Sequence, residues 1–187
     1  MDYAELINKM KEKGVLFSEG LTQSEFEEIE RQYQFEFPPD LRDFLSIALP
    51  TSDKFINWRD MSTLNVELVQ KRLDWCLEGI LFDIEHNNFW LKEWGKKPDE
   101  LLKATNKCID EYKKAPKLIP IFSHRYIPST PFESENPVFS VHQTDIIYYG
   151  ENLCSYLMVE FDLKKYEEID FSNIKHITFW SDIIDIE

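Results

Sequence analysis

The sequence predicts an α+β fold in a single domain spanning residues 1–187. Three observations carry that expectation. Apolar residues recur at helical spacing as far as Pro116, short β-rich runs punctuated by proline follow, and no internal repeat, low-complexity tract or linker divides the chain.

Tyr3, Leu6, Ile7 and Met10 stand at i, i+3, i+4 and i+7, an amphipathic helix ending near Gly14. Thr22-Gln23-Ser24-Glu25 is a capping box, in which hydroxyl and carboxylate each satisfy a free backbone N–H, and the helix it opens carries Phe26, Ile29 and Tyr33. Beyond Phe35-Glu36-Phe37, the pair Pro38-Pro39 starts a third helix, because proline's missing donor costs nothing in a first turn. Leu41, Phe44, Leu45, Ala48 and Leu49 keep helical spacing, and Pro50 stops it. Residues 51–64 read as irregular. From Asn65 a longer helix is expected, with Val66, Val69, Leu73, Cys76, Leu77 and Ile80 on one stripe. Residues 79–84 then lead into an aromatic loop or short strand at 87–95. Pro98-Asp99-Glu100 starts another helix, with Leu101, Thr105, Cys108, Ile109 and Tyr112 at its core positions. The runs 118–122, 138–141 and 146–149 are rich in β-formers and predict a small antiparallel sheet. Leu153, Leu157 and Phe161 mark a closing helix, and Ile174, Ile177, Trp180 and Ile183 a last short one within 171–187.

With 35 Asp and Glu against 21 Lys and Arg, the net charge is −14, which excludes a general electrostatic grip on DNA or RNA. Hydrophobic residues at 43% and aromatic ones at 14% supply a core, so the chain is no disordered acidic tail. Residues 19–36 hold six Glu against Arg31, and 160–187 hold eight acids against three lysines, whereas 92–117 hold eight lysines against five acids. Solvated helix faces explain such an excess; a docking surface for a basic partner is the sharper alternative. Cys76, Cys108 and Cys154 are odd in number and form no CxxC pair, so neither a zinc ribbon nor a disulfide framework is supported. The first residues lack the basic and apolar regions of a signal peptide, and no apolar run approaches the ~20 residues of a membrane span. The expected placement is therefore a reducing cytoplasm with free thiols and no membrane contact.

Five glycines form no GxGxxG, GxxxxGK[ST] or GxSxG, and HExxH is absent. Asp83-x-Glu85-His86 is the best metal-like cluster, but those side chains scatter on a helix and alternate in a strand, so a solvated turn is the plainer reading. His124 and His142 flank the expected sheet and could pair with Asp145 as a base, yet no Ser or Cys is spaced to serve them. No catalytic residue, metal or cofactor is expected. Trp58, Phe89, Trp90, Trp94, Tyr126, Tyr148 and Tyr149 lie outside the helical stripes, in or beside loops, where binding residues concentrate. Such residues serve either as cover for the sheet or as binding hot spots.

The run Gly20-Leu21-Thr22-Gln23-Ser24-Glu25-Phe26-Glu27-Glu28-Ile29-Glu30, with Phe35-Glu36-Phe37-Pro38-Pro39-Asp40-Leu41-Arg42-Asp43-Phe44-Leu45, resembles the opening of SMI1/KNR4 domains of the SUKH superfamily. Those begin with a Leu-Thr-x-x-Glu helix, then a Phe-x-Leu/Phe-Pro-x-Asp elbow and a helix carrying Phe-Leu. The stretch from Leu118 to Pro128, with Asn136-Pro137-Val138-Phe139-Ser140-Val141 and Asp145-Ile146-Ile147-Tyr148-Tyr149-Gly150, is similar to the strand region of a bacterial branch. The resemblance covers most of 20–165, the expected domain core, flanked by the N-terminal helix and a C-terminal helical extension. It departs in the glycine-free segment 132–137 and in an insert-like region at 51–117.

The resemblance implies a central, mainly antiparallel sheet flanked by helices and a non-enzymatic, protein-binding role. Bacterial members are immunity proteins that neutralise a toxin, often a nuclease or deaminase; fungal relatives regulate cell-wall assembly. An immunity protein for a basic toxin domain is thus the leading expectation, and a housekeeping scaffold without a toxin partner the alternative. The expected binding surface comprises Trp58, Arg59, Trp90, Trp94, His124, Arg125, Tyr126, Asp145 and Tyr148.

Overall fold

The structure, a computed structural model, describes residues 2–185. Helix α1 (Tyr3–Glu12) is capped by Asp2, and Leu6, Ile7 and Met10 are its buried positions. Strand β1 (Phe17–Glu19) precedes α2 (Gln23–Tyr33), where the Thr22–Glu25 capping box forms as expected. Helix α3 (Pro39–Ile47) begins at the proline elbow. It stops earlier than its periodicity predicts, because Ala48–Pro50 is a strand, β2, paired antiparallel with β1. The partner strand offered by 17–19 outweighs the helical spacing of Ala48 and Leu49, a tertiary choice invisible locally.

Helix α4 (Thr63–His86) is capped by Ser62 and runs through residues 79–84. The expected transition to a loop after Gly79 does not occur; the loop begins at Asn87 and contains only a 3₁₀ turn at Lys92–Trp94. Helix α5 (Leu101–Tyr112) follows. A four-stranded antiparallel meander comes next, β3 (Leu118–Phe122), β4 (Arg125–Pro128), β5 (Val138–His142) and β6 (Asp145–Gly150). Strand β4 is an addition to the three expected runs. It starts after His124 and ends on Pro128, one of the prolines that punctuate the runs, and its four residues are all buried. Helix α6 (Leu153–Glu160), two 3₁₀ turns and α7 (Trp180–Ile184) complete the described chain. The last helix is shorter than the 171–187 expectation, whose final two residues lie outside the described ones.

Alternation along the strands divides the interior. Ile119, Ile121, Ile127 and Val138 pack with α1, α2, α3 and α6. Leu118, Tyr126, Phe139, Val141 and Ile146 pack with α4, α5 and α7. The sheet is therefore buried on both faces between two helical layers, as the period of two requires.

At the proline elbow, Asp40 is 5% exposed and accepts a hydrogen bond from Leu41 N at 3.0 Å. Burial pushes its carboxyl up to about 6, only partly offset by backbone donors at Leu41 and Glu135. Because the folded value lies above the unfolded one, the folded state holds this proton more tightly, and stability falls as pH rises from about 4 to about 6. Asp40→Asn keeps the shape and removes the charge. At pH 8 it is expected to stabilise the protein by on the order of 1–2 kcal/mol in urea unfolding, a gain that closes below pH 4. An Asn variant less stable than the parent at pH 8 would contradict this.

Candidate functional site

Several residues expected at a binding surface are placed elsewhere. Trp58 is buried among Tyr33, Phe35 and Phe37, and Tyr126 is buried with its hydroxyl donating to Arg72 O at 3.0 Å. Trp94 packs against Phe89, Trp90 and Phe179, so the 87–95 loop is folded down as cover; half-buried Trp90 donates from Nε1 to Gly95 O at 2.7 Å. Buried Arg125 stacks on Tyr149 with its guanidinium carbon 3.8 Å from the ring centroid, donates to Ser140 Oγ and faces Glu160 at 3.4 Å. Arg59 ties the 51–62 segment to Glu25 at 2.5 Å and to the carbonyls of Glu19 and Gly20. That contact holds the Glu25 carboxyl at about 2. Tyr148 is half-buried and donates to Ser181. These are structural roles, and of the nine residues only His124, whose ring hydrogen-bonds with Ser123 alone, and Asp145 are exposed outside such networks.

The acidic stretches are likewise partly used internally. Glu25 and Glu30 pair with Arg59 and Arg42, Glu160 faces Arg125, and Asp170 and Asp182 cap turns. Asp83 of the metal-like cluster is 3% exposed. It accepts from Thr144 N at 2.9 Å, Thr144 Oγ1 at 2.6 Å and Asn87 Nδ2 at 2.5 Å. It therefore anchors the β5–β6 turn to α4. Among the described residues no group of His, Cys, Asp and Glu is arranged to hold a metal.

The outward face of α4 was not anticipated. Leu64 is 69% exposed, Leu68 54%, Trp75 40% and Phe82 46%. At 3.6 residues per turn these four lie within about 40° of one another, a stripe about 27 Å long. Beside it, in a parallel row, run the exposed acids Glu67, Asp74, Glu78 and Glu85. The opposite face holds Val69, Leu73, Cys76, Ile80 and Ile84 in the core. The helix is thus apolar on two sides, and the second was legible: Leu64, Leu68, Trp75 and Phe82 recur at steps of four and seven.

On the other flank of the stripe lies a cleft of about 600 Å³. Helix α4 contributes Asn65, Leu68, Arg72 and Trp75, the 54–57 loop Lys54 and Phe55, and the two hairpin turns His124 and His142. Its walls are tied together. Asn65 Nδ2 donates to Asn57 O and Asp60 O, Ser123 N donates to Lys54 O at 3.0 Å, and Phe55 packs on Phe122 at 4.7 Å. Gly79 lets the β5–β6 turn approach, since a Cβ there would stand 2.7 Å from Gln143 Cα. His124 and His142 are brought to one cleft, whereas exposed Asp145 pairs across the hairpin with His142 and does not line it. Ser123 Oγ lies 3.1 Å from His124 Nδ1, because Ser123 has a positive φ of 48° and turns the adjacent side chains together. Burial first, and then the charges of Arg125, His142 and Arg72, hold the His124 pKa below its ordinary value. With Lys54, Lys71 and Arg72 on its walls and no Asp or Glu, the cleft carries positive charge within an acidic protein.

Comparison of the chain with protein-family models, with curated proteins and with solved structures gives no match in any of the three. No helix among the described residues is long and apolar enough to cross a membrane.

Proposed function

We propose that this chain is a protein-binding domain without chemistry of its own, an immunity-type protein of the SMI1/KNR4 kind. It would neutralise a nuclease or deaminase toxin by seating it on the outward face of α4. The observation that carries the reading is the stripe of Leu64, Leu68, Trp75 and Phe82. A helix already packed on a core has no folding reason to repeat apolar residues on its solvent side, and contiguous exposed apolar surface marks interaction sites. The adjacent row of Glu67, Asp74, Glu78 and Glu85 specifies the partner's chemistry: an apolar groove with a basic rim. A toxin that grips nucleic-acid phosphates carries such basic residues, and the −14 net charge would speed its capture. A second copy of this chain fits worse, since it would bring acidic rows of like sign near each other.

Co-expression with the product of a neighbouring toxin-like gene tests the proposal, growth being the readout. The parent is expected to restore growth. Leu68→Asp with Trp75→Asp, both on exposed positions and checked for an unchanged circular dichroism spectrum, is expected to lose protection. Trp75→Ala alone should weaken the complex by roughly 30-fold, as a central aromatic anchor does. Unrelieved toxicity with the parent would overturn the function, and full protection by the double variant would overturn the surface. A parent that dimerises through the stripe and binds no toxin would replace the partner by a second copy.

A further inference from the structure

We infer that the cleft between α4, the 54–57 loop and the two hairpin turns binds a small organic phosphate, a phosphate monoester carried on a flat ring. Its lining includes Lys54, Lys71, Arg72, His124 and His142 and no Asp or Glu, in a chain where acids outnumber bases 35 to 21. Such segregation is the reverse of what the overall composition would place there by chance. The nearby carboxylate of Glu160 faces Arg125 at 3.4 Å. The acid row of α4 lies well round the helix from Arg72, and at physiological ionic strength charges beyond about 8 Å are largely screened. The local field is thus positive despite the net charge.

Arg72 supplies the recognition chemistry. Its Nε and Nη2 are enclosed and have no hydrogen-bond acceptor among the described residues. The Tyr126 hydroxyl lies beside the guanidinium and donates to Arg72 O at 3.0 Å. Nε and Nη2 form one edge of the guanidinium fork, which can grip two oxygens of a phosphate or carboxylate side by side once the side chain turns that edge, closed to solvent here, into the cleft. Buried donors of this kind are normally satisfied. Three permanent cations with two histidines exceed what a single carboxylate can neutralise and suit a dianion. The remaining walls are apolar. Trp75 and Phe55 present ring surface, and about 600 Å³ far exceeds the volume of a bare phosphate while falling in the usual range of small-molecule sites. A flat ring against those side chains with its phosphate toward Arg72 satisfies both halves of the cleft.

Burial is the first cause of the depressed His124 pKa, and the neighbouring cations that add to it also favour an anion. The cleft shares Leu68 and Trp75 with the exposed stripe, but Arg72, His124 and His142 stand outside it, so binding read at those residues is separable from the proposed toxin-binding role.

Histidine ring resonances report the test, because the chain has only four His. Titration with adenosine monophosphate is expected to shift His124 and His142 saturably and to leave His86 and His176, which lie outside the cleft, unmoved. Inorganic phosphate and adenosine, each carrying half the recognition, should bind at least roughly tenfold more weakly. Arg72→Gln should lower affinity for the monophosphate by roughly tenfold or more, as loss of a charged hydrogen-bonded pair does. Should that variant fold poorly, Lys71→Gln at an exposed position is expected to weaken binding in the same direction. Failure of His124 and His142 to saturate at millimolar probe overturns the proposal. So do equal shifts of all four histidines, or undiminished affinity in both variants.

Discussion

Gly20→Ala is expected to lower the thermal midpoint by roughly 6–12 °C, corresponding to about 3 kcal/mol in a chain of this size. A Cβ at residue 20 would stand 1.9 Å from Ser46 O and 2.4 Å from Ser46 C. Both are backbone atoms, so no side-chain rotation relieves the contact. The crossing is also hydrogen-bonded on both sides, with Leu21 N donating to Leu45 O at 2.9 Å and Arg59 Nη2 donating to Gly20 O at 2.9 Å. Displacing residue 20 therefore strains the β1–β2 pairing and the start of α2 together. A midpoint within about 2 °C of the parent by calorimetry would show that the crossing yields more easily than this geometry allows.

Asp83→Ala is expected to cost about 2–4 kcal/mol in urea unfolding, because three donors lose a charged acceptor inside the fold. Burial alone would raise the Asp83 pKa, but hydrogen bonds from Thr144 and Asn87 and the nearby charge of His142 outweigh it and hold the carboxyl below its ordinary value. The sign follows from that direction. The folded state holds the proton less tightly than the unfolded one, so the stabilisation is complete above the ordinary carboxylate range and disappears as acid protonates the folded form. The difference between parent and variant should accordingly shrink on acidification. Since Asp83 holds the turn that carries His142, amide exchange at Thr144 should also quicken in the variant. Unchanged exchange together with unchanged stability would mean the turn is held by its packing at Gly79 instead.

These two positions differ in how far the sequence discloses them. Nothing local to Gly20 distinguishes it from a loop glycine; only the path of α3 behind it makes a side chain impossible. Asp83 reads as part of a possible metal cluster with Glu85 and His86, and its acceptor role depends on Thr144, distant in sequence. The aromatic candidates were misplaced for the same reason. Trp58, Trp94 and Tyr126 sit in segments that look like loops or turns, but burial is decided by what packs above them. Arg59 and Arg125, typical hot-spot residues, are occupied by Glu25 and by Tyr149 with Glu160. By contrast, the stripe Leu64, Leu68, Trp75 and Phe82 was available from spacing alone. It was hidden because α4 also has a fully apolar buried face, and the stronger pattern accounted for the helix.

What the sequence by itself determined is the set of elements governed by neighbouring residues. The α+β class, the capping box of α2, the proline start of α3 and the strand runs after Pro116 all follow from spacing, caps and turn residues that act within a few positions. Tertiary structure alone decided the β1–β2 pairing, the continuation of α4 past Gly79, the internal use of Arg59, Arg125 and Asp83, and the gathering of Lys54, Arg72, His124 and His142 into one cleft. Each depends on groups far apart in the chain, whose meeting is set by the packing of two helical layers on one sheet.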